Sequence, residues 1–341
     1  TEGNLCEKLV YKAAPVIVTW LGYPATTGCR EIDYIISDRW ANSPEHDSLF
    51  VEKALLLEDS MYVVGEYPDA PAIVDPPMLK NGHITFGSLM NPYKMNPDVF
   101  KAWAEIMHRV PTARMKLIHP KLKDVRKTNL MNEMARQGFP MDRLDIISER
   151  HPEKGNHLLY YNELDMTLDT FPQTGGTTTF ESLVMNVPVI TKVGKVFFER
   201  LSYSIIHNSG LSDPEALIAF STEEYIEKAV ALANNPEVLT RFRSELMGRI
   251  RASNLFSPRK HTRQLEAALQ YAWDQKFPDM PLSKLLSTNF VEGDVCNKFK
   301  KLQLNIQGYP VSFLTFDSEN DPFNYILNEQ NGWFDPEYHF V

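Results

Sequence analysis

The residues best suited to chemistry in this 341-residue chain sit in Asp169-Thr-Phe-Pro-Gln-Thr-Gly-Gly-Thr-Thr-Thr-Phe-Glu-Ser-Leu183. The stretch reads as the end of a buried strand, a glycine turn, and a helix opened by threonines. A helix N-terminus presents unpaired N–H groups at the positive end of its dipole, which suits an anion. Gly175 and Gly176 let the backbone approach a ligand where a side chain would block it. The hydroxyls of Thr177, Thr178 and Thr179 add donors for a phosphate, and Glu181, one turn on, comes within reach of ribose hydroxyls. A phosphate-bearing nucleotide is one reading of this segment. An ordinary helix cap in an α/β domain is the other.

Two more residues bear on that choice. Lys94 lies in Gly87-Ser-Leu-Met-Asn-Pro-Tyr-Lys-Met-Asn-Pro97, a loop between a strand and a helix. A cation there can neutralise a diphosphate and the charge that develops as a nucleotide leaves, although loop lysines are commonly just solvated. His157 follows Pro152-Glu-Lys-Gly155 and opens a helix. An imidazole there suits a nucleobase or a phosphate, and the alternative is a helix-start histidine in solvent. No HExxH, paired-His or Asp-x-Asp pattern points to a metal. The serine elbow of hydrolases and the GxGxxG turn of dehydrogenases are also missing from the sequence.

The elements that must hold these residues alternate in type. Val16–Trp20 and Ile32–Ile36 are apolar runs joined by a Gly- and Pro-bearing turn, and Pro68, Pro71, Pro76 and Pro77 mark a linker over 66–82. Beyond it come a strand at 83–86 and a helix from Pro97 to Val110 with Asn96 as cap. A strand at 115–118 and a helix over 123–137, stopped by Gly138, follow. Strands at 144–147 and 166–169 flank a helix near 157–164. The threonine-opened helix, a strand at 188–191 and a helix over 197–207 complete the alternation. Such alternation predicts a doubly wound parallel sheet, with ligands beyond the carboxyl ends of its strands, where the 87–95 and 171–177 loops lie. Two long helices are expected over 222–253 and 257–276, and 282–341 shows no clear periodicity.

Composition bounds the partners. The length allows two or three domains, and 43% hydrophobic with 23% charged residues is ordinary for a globular protein. A net charge of -9 argues against a nucleic-acid partner, and no apolar run approaches the roughly 18 residues of a membrane helix. Cys6, Cys29 and Cys296 are scattered, which favours a reducing, cytoplasmic setting. The start at Thr-Glu-Gly suggests a processed or excised piece.

Together these segments resemble the catalytic region of the O-linked N-acetylglucosamine transferase family, which includes SPINDLY-type protein O-fucosyltransferases. The resemblance covers roughly residues 13–275. It rests on Ala14–Gly28 followed by Ile32–Asp38, on Asn81–Ser88 with Asn91 and Lys94, on His157, and on Gly175–Ser182. It implies an α/β fold of GT-B type, in which a Rossmann-like second lobe is complete and the first lobe only partly present. Residues 1–80 would end the first lobe and form a linker, 81–256 the nucleotide-sugar lobe, 257–280 a crossing helix, and 281–341 an appended segment.

The resemblance also implies roles. Lys94 would be catalytic, balancing the diphosphate and leaving-group charge, with Asn91 at the diphosphate and Gly175, Gly176, Thr177 and Thr178 around the phosphates. His157 would pack on the nucleoside, Glu181 would meet the ribose, and Leu21, Gly22, Tyr23 and Pro24 would border sugar and acceptor. Two residues depart from the animal enzymes. Gly176 replaces a histidine, a change shared with SPINDLY-like and many bacterial members, and Tyr160 replaces a nucleotide-contacting arginine. The implied activity is inverting, metal-independent and cofactor-free transfer of N-acetylglucosamine from UDP-N-acetylglucosamine to Ser or Thr hydroxyls of a protein or peptide. GDP-fucose is the alternative donor. A sugar-nucleotide epimerase, or a nucleotide-binding protein without turnover, is the alternative function.

Overall fold

Short runs of buried residues set up two parallel sheets in this computed structural model, which describes residues 12, 14–65, 67, 70–149, 151 and 156–279 and the strands at 299–306 and 309–316. The first sheet holds β1 (Val18–Thr19), β2 (Tyr34–Asp38) and β3 (Lys53–Leu57), with β2 in the middle. The second holds β4 (Thr85–Ser88), β5 (Arg114–Ile118), β6 (Leu144–Ile147), β7 (Met166–Leu168), β8 (Val189–Lys192) and β9 (Ile218–Ala219). Its order is β6-β5-β4-β7-β8-β9, and every neighbouring pair is parallel. Winding runs one way from β4 to β6 and the other way from β7 to β9. Loops leaving β4 and β7 therefore meet where the direction reverses, the place where such sheets open a crevice.

Helix ends follow the local chemistry. After the short α1 (Met78–Asn81), helix α2 (Pro97–Arg109) starts at Asn96, whose side chain accepts from the N–H groups of Asp98 and Val99 at 3.0 and 3.2 Å. One stripe of α2, with Val99, Phe100, Trp103, Ile106 and Met107, is buried in the main core. Helix α3 (Asp124–Arg136) gives way to Gly138, whose φ of +81° is one that glycine adopts without a steric cost. Helix α4 (Thr177–Val184) follows β7, and α5 (Leu201–His207) follows β8.

The helix expected over 222–253 is two helices, α6 (Thr222–Ala233) and α7 (Pro236–Ala252). Asn234-Asn235-Pro236 divides them: Asn235 caps α7 by accepting from Val238 N–H at 3.2 Å, and Pro236 cannot continue α6. The helix expected near 157–164 is a tighter 3₁₀ stretch, His157–Glu163. Strands β3 and β9 were not expected. In β3 the run Lys-Ala-Leu-Leu-Leu is apolar without clean alternation, and β9 has two residues. Residues 299–306 and 309–316 pair as an antiparallel hairpin, β10 and β11, where no pattern was expected. The rest of 281–341 lies outside the described residues.

Helix α8 (Pro258–Lys276) crosses from the second sheet to the first. Its Leu265, Ala268 and Ala272 pack on Tyr34, Ile36, Leu55 and Leu57, and Lys260 pairs with Asp59 at 2.6 Å. The sheets also meet directly. Ile35, Ala41 and Met61 cluster with Phe197 and Leu201. Buried Asp38 accepts from the N–H groups of Trp40, Ala41 and Met61 at 2.9, 2.8 and 2.8 Å and from the Ser204 hydroxyl of α5 at 2.6 Å.

Candidate functional site

The β4 and β7 loops bring a cation to a helix start. Asn91 closes the short turn Pro92–Lys94 by accepting from Tyr93 N–H at 3.3 Å. That turn places Lys94 so that its Nζ donates to the carbonyl of Thr174 at 2.7 Å, immediately before the two glycines. Burial pulls the Lys94 ammonium below its ordinary range, and the carboxylate of Asp169 opposes that shift. Among the described residues, the N–H groups of Thr177 and Thr178 have no acceptor, while those of Thr179 and Phe180 return to Gly176 O at 3.0 and 3.1 Å. A half-buried ammonium thus sits on the loop that leads directly into two open N–H groups. That set can hold a diphosphate.

The loop owes its shape to Asp169, to which the sequence reading gave no role. Its Oδ1 accepts from the N–H groups of Thr170 and Gly175 at 2.8 and 2.9 Å, and Oδ2 from the Thr191 hydroxyl at 2.7 Å. Burial pushes its carboxyl up, against hydrogen bonds from Ser202, Thr191 and Thr170 and the charge of Lys94. Its carbonyl takes the hydroxyl of buried Tyr225 at 2.8 Å, and that hydroxyl accepts from Trp103 Nε1 at 3.0 Å. The signal available in the sequence was a lone carboxylate closing an apolar strand before a glycine turn.

The expected residues separate by direction. Thr177 is exposed at the helix mouth. The Thr178 hydroxyl donates to Met90 Sδ at 2.9 Å, and Thr179 is buried with its hydroxyl on Ser202 at 2.7 Å, which corrects its expected part in phosphate binding. Gly175 is enclosed: an added Cβ would overlap Thr179 Oγ1 and the Met90 methyl. Gly176 is open, with Tyr62 Oη at 3.8 Å as the nearest atom to such a Cβ.

Glu181 and His157, 24 residues apart, meet at 2.9 Å between Oε1 and Nε2. Glu181 is buried and also accepts from the Tyr161 hydroxyl at 3.3 Å, whereas the His157 ring is largely exposed. The Glu181 hydrogen bond holds the imidazole above its ordinary range. Tyr160 is buried; its hydroxyl donates to Glu149 O at 3.2 Å and its ring meets His151 edge-on. Leu21, Gly22 and Tyr23 are exposed beyond β1, with Pro24 beside them half-buried. No hydrogen bond among the described residues joins that loop to Lys94, but Trp20 at its base donates to Met61 O at 3.2 Å and stacks on His261. Among the described residues no three His, Cys, Asp or Glu side chains group as metal ligands, and no helix is long and apolar enough to cross a membrane.

Known proteins resemble this chain in sequence and in fold. The SPINDLY protein of Oryza sativa subsp. japonica, named "Probable UDP-N-acetylglucosamine–peptide N-acetylglucosaminyltransferase", is 32% identical over 302 residues, covering 88% of this chain and 32% of that protein. The namesake from Solanum lycopersicum is 35% identical over 277 residues, covering 80% of this chain and 29% of its own. The chain spans about a third of the length of these curated relatives. A solved mutant of the Thermobaculum terrenum O-GlcNAc transferase matches with a TM-score of 0.69 and 31% identity over 79% of this chain and 50% of that one. The two parallel sheets and returning helix are a GT-B-type α/β fold. The family description "Glycosyl transferase family 41" matches residues 1–70 and 77–265, and the chain belongs to that family.

Proposed function

We propose that this chain is the donor-binding part of an inverting, metal-independent glycosyltransferase that moves N-acetylglucosamine from UDP-N-acetylglucosamine to Ser or Thr hydroxyls of a protein or peptide. The observation that carries it is the convergence of Lys94 with the open N–H groups of Thr177 and Thr178 at the winding reversal. Anions bind at helix starts, and a fixed cation beside one stabilises the charge that grows on a departing nucleoside diphosphate. Glu181, one turn further along α4, and His157, which reaches it from the 3₁₀ stretch before β7, supply a carboxylate and a ring for the nucleoside. The names of the relatives support the donor and the peptide acceptor. The dispersed cysteines support a cytoplasmic setting.

GDP-fucose stands as the second donor because Gly176 follows the SPINDLY-like pattern. Melting curves with UDP, GDP, UDP-N-acetylglucosamine and GDP-fucose separate the two, since a ligand that binds only the folded chain raises its melting temperature. The uridine pair is expected to give the larger rise. Stabilisation by the guanosine pair alone would replace the donor, and no rise with any of the four would remove the site.

A further inference from the structure

The two glycines before α4 face different neighbours. An added Cβ at Gly175 would run into Met90, Thr178 and Thr179, on the side of the Asn91–Lys94 turn. At Gly176 it would find one heavy atom within 4 Å, the Oη of Tyr62 at 3.8 Å. Tyr62 belongs to the segment that runs from β3 toward the second sheet, and it is well anchored. Its N–H donates to Ser60 Oγ at 3.1 Å, the N–H of Met61 donates to Asp38 at 2.8 Å, and its ring meets Phe180 of α4 edge-on with centroids 5.5 Å apart. Its hydroxyl has no hydrogen-bond partner among the described residues, although half-buried tyrosines normally find one. Burial, with the Asp38 carboxylate nearby, holds the phenol protonated, so it is a donor.

We propose that Tyr62 reads the transferred sugar: its hydroxyl donates to a sugar oxygen of the nucleotide diphosphate sugar held at the start of α4. This rests on the reading of that start as the donor site. Lys94 and the N–H groups of Thr177 and Thr178 already answer the charged diphosphate. Tyr62 adds a donor that is neutral, anchored and on the Gly176 side, which suits a hydroxyl or amide oxygen of the sugar. The same contact makes Tyr62 a determinant of which sugar is accepted.

Calorimetric titration of the chain and of Tyr62→Phe with UDP and with UDP-N-acetylglucosamine tests it. Phenylalanine keeps the ring on Phe180 and removes the hydroxyl alone. The variant is expected to bind UDP-N-acetylglucosamine about three- to tenfold more weakly and UDP within about twofold of the parent, as a single neutral hydrogen bond dictates. Its unliganded melting temperature should stay unchanged, because the hydroxyl has no internal partner to lose. Equal losses for both ligands, no loss for either, or a lowered unliganded melting temperature would overturn the role of Tyr62 alone. A parent chain that binds neither ligand would overturn it together with the donor site.

Discussion

At the scale of single residues, position along the chain predicted types better than directions. Thr177, Thr178 and Thr179 are equivalent in the sequence, yet helix rotation leaves the first in solvent, sets the second on Met90 and buries the third on Ser202. Lys94, Glu181 and His157 were singled out from their places at the ends of strands and the starts of helices, before any resemblance was drawn. The 2.9 Å contact between Glu181 and His157 was not legible, since it joins two separate elements. Nor were Asp169 and Tyr62, whose partners come from other parts of the chain. The His157–Glu181 contact has a pH signature. Because the fold raises the imidazole above its ordinary value, the contribution to stability is full below that value and is lost as pH rises through the folded one. In melting curves, the advantage of the parent over His157→Gln should be present at about pH 5.5 and gone by about pH 8.5. An advantage that grows with pH would contradict the ion pair. The ring is largely exposed, so the effect will be small.

At the scale of elements, the start of α4 depends on two glycines for different reasons. A Cβ at Gly175 must displace Met90 or Thr179, whereas at Gly176 it meets only ordinary contact. Gly175→Ala is therefore expected to cost about 1–3 kcal/mol of stability through overpacking, and Gly176→Ala clearly less. Denaturant midpoints for the two variants check this, and equal or reversed costs would contradict the geometry. Elements with strong punctuation were readable in advance. Asn96-Pro97 opens α2, Gly138 follows α3, and Ser257-Pro258 opens α8. Asn234-Asn235-Pro236 carried the same kind of signal for the break between α6 and α7, although the long apolar pattern masked it. β3 was unreadable for a physical reason: a continuous apolar run suits a strand or a helix until its neighbours decide.

At the scale of the molecule, the site lies where one sheet reverses its winding and a second sheet packs against it. Asp38 ties Trp40, Ala41 and Met61 to Ser204, and Arg200 donates to Trp40 O at 2.8 Å, so α5 fastens the second sheet to the first. That fastening fixes Tyr62 opposite Gly176, and the Trp20 bond to Met61 holds the base of the Leu21–Pro24 loop to the same segment. On the proposed reading, Lys94 and the α4 start hold a nucleoside diphosphate without a metal. Titration calorimetry with UDP in the presence of a chelator, for the parent chain and for Lys94→Ala, decides this. The parent is expected to bind in chelator, and the variant to lose about 1.5–3 kcal/mol, roughly ten- to a hundredfold in affinity, as for a charge-assisted hydrogen bond. Binding that appears only with added magnesium or manganese, or that is unchanged in Lys94→Ala, would contradict it.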